Sequence, residues 1–458
     1  MPLSASRRRF VFALILIALS GLALRASYVV FETHEPDTEL YDSVYYRLSA
    51  VEVAEGNGFR DPDRGGPWAQ HPPMTTLFLA PVAWLWGPSD FAMGLAMAAL
   101  GTLNVVLIGL LGLRMRSPRC GLIAAAVAVV YPSLWANDGL VMSETLTVTW
   151  VVLSLLTTFR LLERWRPADA VLLGVLCGFA ALTRGELALL LPMLIAGSLL
   201  QRAGPRRPRR AALATFAALA SLLVVMPWVT YNLVRFPEPV LISTNLDIAL
   251  WSSSCDEVYY GPSTGLGTFC PDFEAGEKNK EEKFRRFLRI TPQQQLRERR
   301  ETALDYIGEH LDRYPVVVLA RAARTWSAFR PFDMLEYDVL EGRPRWVNQA
   351  SLAFYYPLVG LAIWGLFLAR GRVQVWPLLV PPIIATLAAF VALGLPRYRV
   401  IAEPGIVVLA AIALDTLIGR IKERTTGVGA PQATSQTEPD SMRARRSPGL
   451  LRSCAAAS

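Results

Sequence analysis

The chain is 458 residues long, 53% hydrophobic and only 18% charged, with a mean hydropathy of +0.33. That balance is too apolar for two or three soluble domains, so the excess must meet lipid. The net charge of +8 would suit nucleic acid, but the basic residues sit in small clusters at the ends of apolar segments and form no continuous surface, which excludes that partner.

A spanning helix needs about 20 mainly apolar residues. Ten segments meet or approach this length: 10–31, 91–113, 120–135, 140–159, 168–183, 187–201, 211–232, 350–369, 374–393 and 400–418. Arg7-Arg8-Arg9, Arg114 with Arg116 and Arg119, Arg160 to Arg166, Arg206 to Arg210, Arg370 with Arg372, and Arg420 to Arg424 mark alternate segment ends. The positive-inside rule puts all six clusters in the cytoplasm. Both termini are then cytoplasmic, which an even span count satisfies.

The expected organisation is a cytoplasmic N-terminus and first span (1–31), a first extracytoplasmic loop (32–90), spans two to seven (91–232), a large extracytoplasmic loop (233–349), spans eight to ten (350–418) and a cytoplasmic tail (419–458). Arg7–Arg9 before an apolar run looks like a secretory or twin-arginine signal, yet nine further apolar segments favour an uncleaved first span. The tail, rich in Gly, Pro, Ser, Thr, Ala and Arg, reads as disordered.

Of five cysteines, Cys120 and Cys177 lie in apolar segments and Cys454 in the tail, while Cys255 and Cys270 share the large outer loop. An outer compartment permits disulfides, and this pair is read as a bridge contributing ~3 kcal/mol in the chain-entropy model. Two unpaired thiols are the alternative. No CxxC spacing occurs and the three histidines are far apart, which argues against a dedicated zinc site.

After the first span an acidic stretch runs into a helix-compatible one. On a helix Asp42, Tyr45, Tyr46 and Ser49 share a face, giving a carboxylate beside aromatic and hydroxyl groups, as a sugar-binding surface requires. A helix cap for Asp42 and interfacial anchoring for the tyrosines are the plainer readings. Gly56-Asn57-Gly58-Phe59 breaks the helix, Gln70-His71-Pro72-Pro73-Met74 returns the chain to the membrane, and 74–86 reads as an interfacial helix closed by Gly87-Pro88.

This ordered set resembles the GT-C superfamily of membrane glycosyltransferases, in the branch of the protein O-mannosyltransferases and the lipid A aminoarabinose transferase. The resemblance continues through Met142-Ser143-Glu144, Gly178 to Arg184, and Pro396-Arg397-Tyr398-Arg399 before Glu403-Pro404. It implies an all-α polytopic membrane protein of about ten transmembrane helices with interfacial helices and a large extracytoplasmic loop. It also implies transfer of a sugar, with inversion, from a polyprenyl-phosphate carrier to an acceptor hydroxyl of a lipid, polysaccharide or protein outside a bacterial plasma membrane. Asp42 takes the base role. Ser43 stands where many relatives have Glu, and His71 where some have Lys.

The chemistry agrees with these residue types. Glycoside hydrolysis needs an acid as well as a base, whereas a phosphate leaves readily, so one base and cations to hold the phosphate suffice. Arg184, Arg397 and Arg399 are candidates for the phosphate, with snorkelling or pairing to Glu186 and Glu403 as alternatives; Tyr45, Tyr46, His71, Glu144 and Tyr398 complete the expected carrier and substrate contacts. Glu144 could equally be a helix N-terminal charge. No cofactor is required, but Asp42 and Glu144 are the carboxylates a divalent cation would use. Residues 314–332 read as interfacial, interrupted by Arg321 and Arg324. The competing function is a transporter or lipid flippase; such proteins carry mid-span charges and inverted repeats, whereas here no repeat is found and the charges gather at span ends.

Overall fold

The computed structural model describes residues 5–33, 41–63, 65–201, 204–267, 270, 292–371, 373–391 and 393–425. The acidic stretch at 34–40, much of the charged segment of the outer loop and the tail beyond 425 lie outside the described residues. Among the described residues the only β pairing is one antiparallel bridge, Arg60 with Pro67.

The first helix, α1 (Ala5–Tyr28), is followed by α2 (Tyr41–Ala54) and α3 (Met74–Trp86). A run of membrane helices comes next: α4 (Asp90–Met115), α5 (Pro118–Val130), α6 (Glu144–Arg164), α7 (Pro167–Ala181), α8 (Leu190–Leu200) and α9 (Arg207–Arg235). The long connection after α9 carries α10 (Asn245–Trp251), α11 (Asp256–Tyr259), α12 (Pro292–Glu309), α13 (Tyr314–Thr325) and α14 (Pro331–Leu340), before α15 (Arg345–Ala369), α16 (Trp376–Val391) and α17 (Glu403–Thr425).

Each of the ten apolar segments contains a helix. Among the described residues six helices, α1, α4, α6, α9, α15 and α17, are long and apolar enough to cross a membrane, and α5 with residues 132–140, bent by 80°, makes a seventh if the pair is one span. α7, α16 and the 185–200 segment are shorter apolar helices, as is α3. The chain is a multi-pass helical membrane protein. Its lipid-facing surface is visible on α1 and α9, where Phe12 and Leu223 are 65% and 75% exposed; only an apolar solvent accepts such a surface.

Local chemistry sets the helix starts. Ser89 Oγ accepts from the Ala92 N–H to begin α4, and Ser117 Oγ from Cys120 with Pro118 in the first turn to begin α5. Small residues then let helices approach: Gly109, Gly112 and Gly121 bring α4 against α5, and Gly174 and Gly178 bring α7 against α9.

At one end of the helices Arg116 and Arg119 bind Asp415, Arg160 binds Asp169 at 2.5 Å, Arg114 binds Glu163, and Arg209 donates to the Trp165 carbonyl. At the bend after α5, Arg25 Nε lies 2.7 Å from Asp138 Oδ2, both side chains at 1% exposure or less, and Thr145 Oγ1 donates to the other carboxylate oxygen at 2.6 Å. Gly101 makes room for this pair, since a Cβ there would lie 2.1 Å from Asp138 Oδ2.

Between α10 and α12, Cys255 and Cys270 form a disulfide. The 314–332 stretch is amphipathic: Leu319 of α13 is 65% exposed while Arg321 and Arg324 are fully buried. The arginines turn inward because they have carbonyls to meet there. Arg321 donates to Ser253 O at 3.1 Å, and Arg324 to Thr264 O at 2.7 Å and Pro262 O at 3.0 Å. They fasten the disulfide-closed segment to α13.

Candidate active site

α2 begins one residue before Asp42, so the carboxylate projects from its first turn, and the helix faces Tyr45, Tyr46, Ser49 and Ala50 into the protein, all buried. Gly56 and Gly58 follow with φ of +86° and +73°, and a Cβ at Gly58 would lie 2.9 Å from the Tyr231 hydroxyl. Only glycine tolerates both demands. Phe59 then packs edge-on against Trp228, and the Ala69 carbonyl accepts from Thr244 N while Met74 N donates to Leu182 O. These ties hold the 69–74 segment, and His71 with it, under α2.

Two groups meet at Asp42. His71 Nε2 is 3.2 Å from Oδ1 and Arg397 Nη2 is 2.9 Å from Oδ2. The His71 ring is held between Tyr45 and Tyr46, with centroids at 5.0 and 5.1 Å. Burial works to raise the Asp42 carboxyl, but Arg397 and then His71 outweigh it and hold the group well below the usual carboxylate range.

The second cluster centres on Arg184, whose Nη1 is 2.9 Å from Glu144 and Nε 2.6 Å from Glu186. Its guanidinium also lies 5.1 Å from the Tyr398 ring centroid. Burial acts to lower the Arg184 group, and Glu186 and Glu144 more than compensate, so it stays charged.

Both clusters open on a cavity of ≈ 830 Å³. Asp42, Tyr46, His71, Arg184, Arg397 and Tyr398 form its polar wall, and Leu189, Leu241, Leu387, Phe390 and Val391 an apolar one. A charged end and a greasy flank in one space suit an amphiphile with an anionic head.

Two expected contacts stand behind this wall. Tyr45 is buried and donates to the His71 carbonyl at 3.2 Å, because at its position on α2 the hydroxyl reaches inward. Glu144 is 1% exposed and binds Arg184, so it steadies a guanidinium. Arg399 is also withdrawn, bound to Glu403 at 2.9 Å with its guanidinium 3.8 Å from the Tyr355 ring centroid. Sequence reasoning missed Glu341, whose Oε1 lies 3.1 Å from Arg397 Nη1, and the cavity-lining pair Asp247 and Arg300, joined by bonds of 2.8 and 2.6 Å. Glu341-Gly342-Arg343 carries no motif; only its charge at the loop's end marked it.

A divalent cation does not fit these donors. Among the described residues no group of three or more His, Cys, Asp or Glu could hold a metal, and Asp42 and Glu144 each already face a guanidinium.

Solved structures share this architecture. Archaeal oligosaccharyltransferase AglB from Archaeoglobus fulgidus, in complex with an inhibitory peptide and a dolichol-phosphate, superposes with a TM-score of 0.58 at 15% identity, covering 94% of this chain and 53% of that one. The apo oligosaccharyltransferase of the same organism gives 0.55 at 16% identity, over 93% and 53%. The fold is therefore shared with these oligosaccharyltransferases.

The sequence narrows the class. The family described as dolichyl-phosphate-mannose-protein mannosyltransferase matches residues 70–231. An undecaprenyl phosphate-alpha-4-amino-4-deoxy-L-arabinose arabinosyl transferase of Pseudomonas aeruginosa is 33% identical over 180 residues, 36% of this chain and 32% of the relative. The match thus spans about a third of that relative's length. Over this part the chain is similar to the protein mannosyltransferase family and to the aminoarabinose transferase.

Proposed function

We propose that this protein is an inverting glycosyltransferase that moves a sugar from a polyprenyl-phosphate carrier to an acceptor hydroxyl. The observation that carries the reading is Asp42, a carboxylate between a guanidinium and an imidazole on the wall of a cavity that is charged on one side and apolar on the other. The acceptor oxygen attacks the anomeric carbon, the bond from that carbon to the phosphate oxygen breaks, and its electron pair leaves on the phosphate. Asp42 receives the acceptor proton. Arg397 and Arg184 meet the phosphate as its charge grows, and His71 orients Asp42. The apolar wall takes the first isoprene units of the carrier; the names of the Pseudomonas relative and of the AglB complex both include a polyprenyl-type phosphate. The acceptor is a lipid, polysaccharide or protein.

The site opens outside the cytoplasm of a bacterial plasma membrane, with both termini inside. In support, Glu144 begins α6 at the site and Arg160 and Arg164 lie near its other end, about 30 Å away at 1.5 Å per residue. The loop and span boundaries at 31, 90, 232, 349 and 418 belong to this topology. The test is Asp42→Asn in the purified protein with its lipid-linked donor: transfer falls by at least about a thousandfold with the fold intact. Transfer near the wild-type rate would refute the assignment, and substrate flux into sealed vesicles with no glycosylated product would favour a transporter.

A further inference from the structure

The site neutralises its cations twice over. Arg397 meets Asp42 on one terminal nitrogen and Glu341 on the other, and Arg184 meets Glu144 and Glu186. An arriving anion therefore has to loosen a carboxylate. Arg397 keeps one donor in reserve, its Nε, which is buried and has no hydrogen-bond partner although the side chain lines the cavity.

The two carboxylates on Arg397 are not equally fixed. Glu341 is 9% exposed, and Arg343 Nη1 lies 2.6 Å from its other oxygen. Arg343 is itself anchored, since its Nη2 and Nε donate to Asn137 Oδ1 at 2.8 and 3.0 Å and its Nη1 to Asp338 at 3.2 Å. Asp42 is 23% exposed, in the first turn of a 14-residue helix at the cavity edge, with His71 as its other partner. Of the two, Asp42 is the carboxylate that can yield.

We propose that Asp42 and the donor phosphate compete for Arg397, and that Glu341 is a positioning residue that keeps the guanidinium at the cavity wall while the phosphate displaces Asp42. This rests on the reading of Asp42 as base and Arg397 as phosphate contact. The consequence is a base that is shielded in the empty site and exposed by the donor. A carboxylate paired with a guanidinium is a poor proton acceptor; one that has lost the pair is a better one. The reaction drives the exchange further, because the electron pair of the breaking glycosyl–oxygen bond adds a negative charge to the phosphate as the acceptor proton moves to Asp42.

The test measures binding, so it needs no knowledge of the sugar. Undecaprenyl phosphate is titrated into the detergent-solubilised full chain, and affinity is read by intrinsic fluorescence for wild type, Arg397→Ala, Asp42→Asn, Glu341→Gln and Glu341→Asp. Arg397→Ala weakens binding by about tenfold or more. Asp42→Asn tightens it by roughly three- to tenfold, because it removes the competing charge from the guanidinium, whereas Glu341→Gln, which loses the charged anchor, weakens it by a similar factor and Glu341→Asp stays near wild type. Asp42→Asn that binds no tighter, alongside a weakened Arg397→Ala, would overturn the competition and leave the transferase reading standing. Wild-type binding by Arg397→Ala would instead remove Arg397 from the phosphate. Unchanged or tighter binding by a folded Glu341→Gln would overturn the role of Glu341, and should that variant not fold, the Asp42→Asn arm decides the competition.

Discussion

Gly101→Ala tests how far the site depends on a contact deep among the helices. The added Cβ would lie 2.1 Å from Asp138 Oδ2, 2.7 Å from its Cγ and 2.8 Å from Arg25 Nε. A carbon needs more than 3 Å from these atoms, so Asp138 must retreat by about 1 Å or α1 and α4 must spread. Asp138 has nowhere to go, because Thr145 holds its second oxygen and both members of the ion pair are buried. Breaking such a pair costs about 3–5 kcal/mol, and overpacking alone about 1–3 kcal/mol. The effect reaches the site because Asn137, next in the chain, is the anchor for Arg343 and through it for Glu341 and Arg397. Thermal melting in detergent, followed by fluorescence, should show a large fall in midpoint together with reduced transfer. Asp138→Ala should be destabilising by itself, and adding Gly101→Ala to it should cost little more, because the clashing carboxylate is gone. A Gly101→Ala protein that melts with the wild type would refute the packing argument.

Arg184→Lys keeps a charge but cannot bridge Glu144 and Glu186 with two arms, so kcat/KM should fall by about ten- to a hundredfold, measured by initial rates of transfer. Replacing Cys255 and Cys270 together by Ser should lower stability by up to ~3 kcal/mol, read by denaturation with and without reductant, the reductant acting on the wild type alone. Burial pushes the Asp338 carboxyl up to about 6, against the downward pull of Arg343 and with the help of Glu341. The folded protein therefore keeps a proton that the unfolded chain releases near pH 4, and the resulting stabilisation is complete below that pH and lost as pH rises towards 6. Asp338→Asn should flatten melting temperature against pH across this window; an unchanged slope would show that Asp338 does not titrate there.

The amino-acid sequence by itself determined the membrane character, the helical segments and their basic ends, because these are properties of composition and spacing within one segment. It also singled out Asp42, His71, Arg184, Arg397 and Tyr398, through an ordered set of motifs that resembles the GT-C superfamily. The partner each one takes was decided only in three dimensions. Asp42 and Arg397 stand at opposite ends of the chain, and no local pattern reveals that they are 2.9 Å apart. Tyr45 and Tyr46 are neighbours in sequence, yet Tyr46 alone lines the cavity, a difference set by what packs over α2. Arg399 is two residues from Arg397 and was equally eligible for phosphate, but the short helical turn sends it to Glu403. Glu341 carried no signal beyond its charge, because the group it meets, Arg397, arrives from another part of the chain.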